Sequence, residues 1–216
     1  MTIGVKICGI TSLEAVDAAI AAGAAYGGLV FHPKSPRFVQ LEQAAVLATR
    51  MRGRLKIVAL IVDMDDAQIA ALVKAVSPDF LQLHGAETVQ RTADIRSRFG
   101  VPVIRVLPIA EAADFDAVEA FEFVADILMF DAKPPKSSDR TGGHGAAFDW
   151  SLLKGRTFGK PWFLAGGLTP DNVARAVVLS QAAFVDVSSG VESAPGVKDS
   201  ARILQFVNAT KHPVQA

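Results

Sequence analysis

The chain has 216 residues, 50% of them hydrophobic, and its 22 Lys and Arg residues balance its 22 Asp and Glu residues. This length fits one or two domains, and the balanced charge provides no basic footprint for nucleic acid or an anionic membrane. We therefore expect neither as a partner. The single cysteine excludes an internal disulfide framework and is typical of a reducing compartment. Without a secretory signal pattern at the N-terminus, we expect a cytoplasmic protein.

Apolar runs of strand length alternate with stretches of helical period along the whole chain. Most of these runs are nearly continuous, as at residues 57–62, which indicates parallel strands covered by helices on both faces. The predicted strands lie at 4–8, 26–31, 55–62, 79–84, 101–107, 123–130, 161–165 and 183–188. The predicted helices lie at 12–22, 40–51, 65–75, 86–98, 110–120, 148–154, 170–180 and 197–209.

Eight strands that are each followed by a helix give the element count of a (β/α)8 barrel, or TIM barrel. A doubly wound open sheet is the alternative, but its first turn usually carries a Gly-rich dinucleotide fingerprint, which this chain lacks. The sequence therefore predicts an α/β protein with a single (β/α)8 barrel domain over residues 1–216. In such barrels the carboxyl ends of the strands carry the chemistry.

One predicted connection is much longer than the others. Residues 131–147 contain two prolines, three glycines and no periodicity. Loops of this length inside a compact domain are usually lids, binding loops or disordered segments. We interpret this one as a lid over the active face that closes on a ligand, with a passive surface loop as the alternative.

The first predicted strand ends in an unusual pattern. Strand side chains alternate with period two, so Lys6 and Cys8 share one face. A free cysteine is usually a small buried hydrophobe, but the position of Cys8 at a strand end before Gly9 makes it a catalytic candidate. The eighth strand is the neighbour of the first in a closed barrel, and by the same alternation Asp186 on it should face the barrel interior, as Lys6 does. Because charges inside a barrel must be paired, we expect Lys6 and Asp186 to meet.

Three more polar side chains fall near predicted strand ends. Asp131 follows the sixth strand, where it could cap a turn or form an acid–base pair with Cys8 across the barrel mouth. Arg37 lies in a loop stiffened by two prolines, where it could bind a carboxylate or be a solvated surface residue. His84 is a structural or substrate-orienting candidate. No spacing of His, Asp or Glu predicts a metal site.

Two glycine-rich turns predict a phosphate site. Gly166 and Gly167 follow the seventh strand, and Ser189 and Gly190 follow the eighth. Barrels often bind phosphate with the loops after these two strands, because glycine lets backbone N–H groups approach an anion closely. A tight turn is the alternative for either pair taken alone.

In their order and spacing, these motifs resemble those of the phosphoribosylanthranilate isomerase family of tryptophan biosynthesis. The resemblance covers nearly the whole chain and implies a barrel of the ribulose-phosphate-binding type. It is carried by Asp131 and by the motifs KICGIT at 6–11, SPR at 35–37, QLHG at 82–85, GGHG at 142–145, FDW at 148–150, LAGGL at 164–168 and DVSSGVE at 186–192.

The resemblance implies an Amadori rearrangement of N-(5-phosphoribosyl)anthranilate to 1-(2-carboxyphenylamino)-1-deoxyribulose 5-phosphate. It implies Asp131 as the general acid that opens the ribose ring, and Cys8 as the general base that removes the C2 proton. Arg37 would bind the anthranilate carboxylate. No metal or organic cofactor is implied, because both steps are proton transfers. Further contacts are implied for the substrate-binding residues His84, Gly142 and Gly143 and for the phosphate-binding residues Gly166, Gly167, Ser189 and Gly190.

Other functions stay open at this stage. The related sugar isomerases of histidine biosynthesis, including dual-substrate forms, have an acidic residue on the first strand where this chain has Cys8. Pentose-phosphate epimerase barrels would need metal-binding His and Asp at several strand ends. A non-catalytic barrel that binds a phosphate compound is the alternative outside enzymology. In each case we expect a small phosphorylated molecule as the partner, and the chain could be a monomer or a homodimer.

Overall fold

Eight parallel strands close into one barrel. The computed structural model describes residues 2–133 and 148–211. Each strand pairs with the next along the chain and the eighth pairs with the first, which confirms the predicted (β/α)8 barrel. The strands are β1 (Gly4–Cys8), β2 (Tyr26–Val30), β3 (Lys56–Ile61), β4 (Phe80–Leu83), β5 (Val103–Ile109), β6 (Ile127–Ala132), β7 (Trp162–Leu164) and β8 (Phe184–Val187).

The α-helices follow the strands, and several begin and end at the expected capping residues. Ser12 caps the first helix by accepting a hydrogen bond from the Ala15 backbone N–H at 3.2 Å, and Gly23 ends it with φ of 86°. No helix of the described residues is long and apolar enough to cross a membrane. The helices are α1 (Leu13–Ala22), α2 (Leu41–Met51), α3 (Asp66–Val76), α4 (Val89–Phe99), α5 (Val118–Glu122), α6 (Val173–Ser180) and α7 (Ser200–Lys211).

The predicted helix at 110–120 is only partly an α-helix. It starts as a 3₁₀ helix at Ala112–Ala117, before the short α5. The Asp114 carboxylate accepts hydrogen bonds from the backbone N–H groups of Ala110 at 2.7 Å and Glu111 at 3.1 Å. Such side-chain bonds to the backbone compete with a regular helix, and here they tighten its first turn.

Two other predicted elements differ from the structure. The segment predicted as a helix at 148–154 contains a four-residue 3₁₀ helix at Trp150–Leu153. The strand predicted at 123–130 begins later, at Ile127, because the Phe121 carbonyl accepts hydrogen bonds from two following N–H groups and turns the chain. β6 also ends later than predicted, at Ala132, where Asp131 pairs with Pro108 of β5, so Asp131 lies inside β6 and does not follow it.

The inward-facing side chains of the described strands fill the barrel in two buried clusters. Cys8, Val30 and Leu60 form a small buried cluster at the carboxyl ends of the first three strands. A larger cluster lies deeper in the barrel and consists of Val58, Ile104, Val106, Ile127, Met129, Phe163 and Ala165, with Tyr26, Phe80 and Phe184 packed against it. The Cys8 cluster therefore lies at the carboxyl end of the barrel.

A hairpin that the sequence analysis did not predict follows β8. Its strands, β9 (Glu192–Ala194) and β10 (Val197–Lys198), pair in antiparallel orientation. Strands of two and three residues are too short to show an alternating pattern. The Thr11 hydroxyl donates to the Gly196 carbonyl at 3.0 Å, and Gly196 packs so tightly on the Pro36 carbonyl that a Cβ atom would clash. These contacts hold the hairpin against the loops that follow β1 and β2.

Candidate active site

An open pocket lies at the carboxyl ends of the strands, the end where barrels of this kind carry their chemistry. Its lining includes both Cys8 and Asp131, so the structure brings the two catalytic candidates to one cavity. Gly190 does not line this pocket. Gly142 and Gly143 lie outside the described residues, as does most of the predicted lid. The other predicted site residues that line the pocket are Arg37, His84, Gly166, Gly167 and Ser189.

Cys8 ends β1 with its side chain facing the barrel interior, and it is 4% exposed. A Cβ atom at Gly28, on the neighbouring strand β2, would lie 3.2 Å from both Cys8 Sγ and Lys6 Nζ. The glycine therefore leaves room for the thiol and the ammonium side by side. Burial raises the pKa of Cys8 above its ordinary value of 9.0, while the positive charges of Lys6 and Lys198 oppose this rise.

Lys6 and Asp186 meet, as the sequence predicts. Lys6 Nζ donates to Asp186 Oδ1 at 2.8 Å, and the Lys6 side chain is fully buried. Burial alone would lower the pKa of Lys6, but the charges of Asp186 and Cys8 outweigh burial and raise it. The pair therefore places a charged ammonium next to the thiol while Asp186 balances its charge.

We predict that Lys6→Met raises the pKa of Cys8 further, because it removes the cation that favours the thiolate. Cys8 is the only cysteine, so the pH dependence of its alkylation by iodoacetamide, measured by mass spectrometry, reports this group alone. The wild-type thiol should titrate above pH 9.0, and the variant at higher pH still. Lys56→Met, at the amino end of β3, is the matched control. A variant midpoint equal to or below that of the wild type would contradict the prediction.

Asp131 and His84 lie together on one side of the pocket. Asp131 Oδ1 accepts a hydrogen bond from the Ala132 backbone N–H at 2.8 Å, and Oδ2 lies 3.3 Å from His84 Nε2. A Cβ atom at Gly166 would clash with the Ala132 backbone nitrogen and lie 3.0 Å from Asp131 Oδ1, so this glycine lets the turn after β7 pack against the end of β6. Within the described residues, no group of three or more His, Cys, Asp or Glu side chains is placed to hold a metal ion.

Gln82 lies behind His84 in the barrel interior. The Gln82 side chain is fully buried, and its Nε2 lies 3.4 Å from His84 Nδ1 and 3.5 Å from Met129 Sδ. Its Oε1 has no hydrogen-bond partner among residues 2–133 and 148–211. This contact lies on the Nδ1 side of the ring, and the other ring nitrogen, Nε2, faces Asp131. Gln82 therefore orients the imidazole towards the carboxyl group.

Arg37 lines the pocket, but a carboxylate of the protein already holds its guanidinium group. Arg37 Nε and Nη2 donate to the two oxygens of Glu192 at 2.7 and 2.9 Å. Lys198 Nζ also donates to Glu192, at 2.7 Å. Burial would raise the pKa of Glu192, but the hydrogen bonds and charges of Arg37 and Lys198 outweigh burial and lower it. The sequence analysis missed Glu192 and Lys198 as site residues; the need of a buried arginine for a carboxylate was the signal that could have found Glu192.

The two glycine-rich turns are adjacent, as expected for an anion site. Gly166 and Gly167 adopt positive φ angles of 87° and 62°. The backbone N–H groups of Gly166, Gly167, Ser189 and Gly190 have no hydrogen-bond partner in the described part of the chain. Gly190 differs in its surroundings, because a Cβ atom there would clash with the Leu168 carbonyl. It allows the two loops to pack closely while Ser189 and the two other glycines line the pocket.

The fold and the site define the class of protein. A closed (β/α)8 barrel with a thiol and a carboxyl group on one pocket, beside glycine-rich turns after β7 and β8, is typical of enzymes that isomerise phosphorylated sugars. The model of one family, described as N-(5'-phosphoribosyl)anthranilate (PRA) isomerase, matches residues 5–209. The chain belongs to the N-(5'-phosphoribosyl)anthranilate isomerase family, which confirms the resemblance seen in the sequence motifs.

Individual relatives are similar over nearly their full length. The N-(5'-phosphoribosyl)anthranilate isomerase of Paramagnetospirillum magneticum is 54% identical over 211 residues, which cover 98% of each chain. That of Paracoccus denitrificans is 50% identical over 214 residues, 99% of this chain and 100% of its own. The solved structure of the Thermotoga maritima enzyme matches with a TM-score of 0.87 at 32% identity, covering 97% of this chain and 98% of that chain.

A further solved structure shows a phosphoribosyl anthranilate isomerase in complex with reduced 1-(o-carboxyphenylamino)-1-deoxyribulose 5-phosphate. It matches with a TM-score of 0.82 at 30% identity, and covers 97% of this chain and 98% of that chain. The ligand of that relative carries a carboxylate at one end and a phosphate at the other.

Proposed function

We propose that Cys8 and Asp131 perform the isomerisation for which this family is named, the conversion of N-(5-phosphoribosyl)anthranilate to 1-(2-carboxyphenylamino)-1-deoxyribulose 5-phosphate. The observation that carries the proposal is that both residues line one pocket, although 123 positions separate them in the sequence. The family assigns the chain to tryptophan biosynthesis. The ligand of the solved relative is a reduced form of this product.

In the first step, Asp131 gives its proton to the ring oxygen of the ribose. The bond between this oxygen and C1 breaks, and the nitrogen lone pair forms a C1=N double bond, so the ring opens to a protonated Schiff base. Asp131 becomes a carboxylate. The Ala132 N–H and His84 Nε2 lie 2.8 and 3.3 Å from its two oxygens, and hydrogen-bond donors at these distances stabilise the charge that forms.

In the second step, the Cys8 thiolate removes the C2 proton. The electrons of the C2–H bond form a C1=C2 double bond and neutralise the nitrogen, which gives an enolamine. The enolamine becomes the ketone when the C2 hydroxyl loses its proton and C1 gains one. Substrate and product have the same composition, so the reaction needs only groups that move protons. The positive charge of Lys6 favours the thiolate form of Cys8.

The two ends of the substrate would be bound by different parts of the pocket. The backbone N–H groups of Gly166, Gly167 and Ser189 would donate to the phosphate, because no described group uses them otherwise. Gly190, which lines an adjoining cavity together with Gly167 and Ser189, would add its N–H group from that side. Arg37 would bind the anthranilate carboxylate with Nη1, since its hydrogen bonds to Glu192 use Nε and Nη2. Gly142 and Gly143 remain proposed substrate contacts on the resemblance alone.

A turnover assay tests the proposed function. Anthranilate adducts fluoresce, so the conversion of freshly generated substrate by the full chain can be followed directly. We expect saturable turnover with this substrate, and none with the sugar-phosphate substrate of the histidine-pathway isomerases, because β1 ends in a thiol where those enzymes have a carboxylate. A chain that binds the anthranilate substrate without converting it would be the phosphate-binding, non-catalytic alternative.

Assembly and compartment are also proposals. One solved structure describes the Thermotoga maritima enzyme as dimeric, so we propose a monomer or a homodimer for this chain. Light scattering of the purified protein would distinguish the two. The cytoplasm is proposed on the single cysteine, whose catalytic role requires a reduced thiol.

A further inference from the structure

A buried group of three charges lies beside the pocket and joins the hairpin to the loop after β2. We call Arg37, Glu192 and Lys198 the rim cluster. The Glu192 carboxylate lies between the two cations, with contacts of 2.7 and 2.9 Å to Arg37 and 2.7 Å to Lys198. The Lys198 side chain is fully buried and the Glu192 side chain is 5% exposed. Lys198 Nζ also donates to the Ser188 carbonyl at 3.0 Å.

The rim cluster contains two positive charges, on Arg37 and Lys198, and one negative charge, on Glu192. Lys6 and Asp186 on the same pocket neutralise each other one to one, whereas one carboxylate serves both Arg37 and Lys198. An unbalanced buried charge is unfavourable, so while the nearby Cys8 is a neutral thiol the cluster favours one more anion. Of its three members only Arg37 lines the pocket. The missing negative charge can therefore reach the cluster on a ligand that binds next to Arg37.

We propose that Lys198 is a positioning residue that makes the pocket select a ligand carboxylate, although Lys198 does not line it. The inference rests on the proposed function, because the carboxylate in question is that of the anthranilate group. Lys198 neutralises the Glu192 carboxylate, which leaves the charge of Arg37 available to the ligand. Without Lys198, Glu192 neutralises Arg37 itself and the selection for a ligand carboxylate is lost.

The surroundings of Lys198 agree with this role. Burial lowers the pKa of Lys198, and the nearby carboxylate of Glu192 opposes this effect, so the ammonium charge depends on its partner. Arg202 provides a comparison. It is exposed, and it donates to the backbone carbonyl of Glu192 at 2.7 Å and not to the carboxylate. Arg202 therefore adds a cation near the hairpin without entering the charge balance of the carboxylate.

Calorimetric titration with two ligands tests the inference. One ligand is reduced 1-(o-carboxyphenylamino)-1-deoxyribulose 5-phosphate, and the other is the same compound with a phenyl group in place of the carboxyphenyl group. Lys198→Met should weaken binding of the carboxylated ligand about 10- to 100-fold, the range for one charge-assisted hydrogen bond. The ligand without the carboxyl group should lose less than about threefold. Arg202→Met, the matched control, should leave the preference for the carboxylated ligand unchanged.

The double variant Glu192→Gln with Lys198→Met tests the charge balance more directly than Lys198→Met alone. It removes one charge of each sign, so Arg37 keeps its surplus and the preference for the carboxylated ligand should return to within about threefold of the wild type. It also removes the buried carboxylate that loses Lys198 as a partner, so it serves if the single variant does not fold.

Three results would overturn the inference. The first is that Lys198→Met keeps the full preference for the carboxylated ligand. The second is that this variant loses affinity for both ligands equally. The third is that the double variant does not regain the preference for the carboxylated ligand. None of these three results affects the proposed function, provided that the wild-type protein binds the carboxylated ligand. A wild type that binds neither ligand overturns the proposed function, and this inference with it.

Discussion

Cys8→Ala is expected to reduce turnover by about 10²- to 10⁴-fold, the range that a positioned general base contributes, while the product analogue still binds. The thiol is the only described side chain at the end of β1 that can accept the C2 proton in the proposed mechanism. Cys8 is buried among Val30 and Leu60, and the substitution removes a single sulfur atom, so the fold should persist. Steady-state kinetics measure the loss of turnover, and calorimetric titration measures whether the product analogue still binds.

Cys8→Ser is the matched control for packing. The serine side chain is close in shape to cysteine, but its hydroxyl is more polar than the thiol and far too weak an acid to ionise and act as a base near neutral pH. Serine should therefore be as inactive as alanine. Turnover close to that of the wild type in either variant would remove Cys8 from the role of general base.

Asp131→Asn should cause a comparable loss of turnover, because an amide has no acid proton to give to the ring oxygen. The amide oxygen can still accept the hydrogen bond that the Ala132 N–H now gives to Asp131 Oδ1. Substrate binding should therefore remain largely intact. Comparison of kcat with the affinity for the product analogue checks both statements.

Asp63→Asn is a control on the same rim of the barrel. Asp63 follows β3 and accepts a hydrogen bond from the Ala86 N–H, but it does not line the pocket. Its replacement should leave turnover within severalfold of the wild type. If Asp131→Asn instead weakens binding as much as turnover, the role of Asp131 is to position the substrate and not to protonate it.

The sequence predicted the barrel because most of the buried strands are nearly continuous apolar runs. The bounds predicted for β1, residues 4–8, match the structure. Strand parity alone placed Lys6 and Asp186 on the inner face, and the cost of an unpaired buried charge made them a pair. The strand prediction uses the local pattern of apolar residues, and the pairing of Lys6 with Asp186 uses the rule that charges inside a barrel must be paired. Neither argument needs a contact that only coordinates could show.

The features that the sequence did not predict depend on contacts between distant segments. Arg37 and Glu192 are 155 positions apart, and no local pattern marks them as partners. The hairpin of β9 and β10 depends on its packing against Thr11 and Pro36. Gly190 was predicted as a phosphate contact from its place in the turn after the eighth strand, whereas its close packing on the Leu168 carbonyl depends on tertiary structure.

A crystal structure of this protein with reduced 1-(o-carboxyphenylamino)-1-deoxyribulose 5-phosphate tests the central claim most directly. We predict that Cys8 Sγ lies about 3.5 Å from C2 of the sugar chain, a distance at which a proton can be transferred. The Asp131 carboxyl group should lie within hydrogen-bonding distance of the hydroxyl that was the ring oxygen, and the phosphate against Gly166 and Gly167. A ligand bound with either Cys8 or Asp131 out of reach of the sugar would contradict the account.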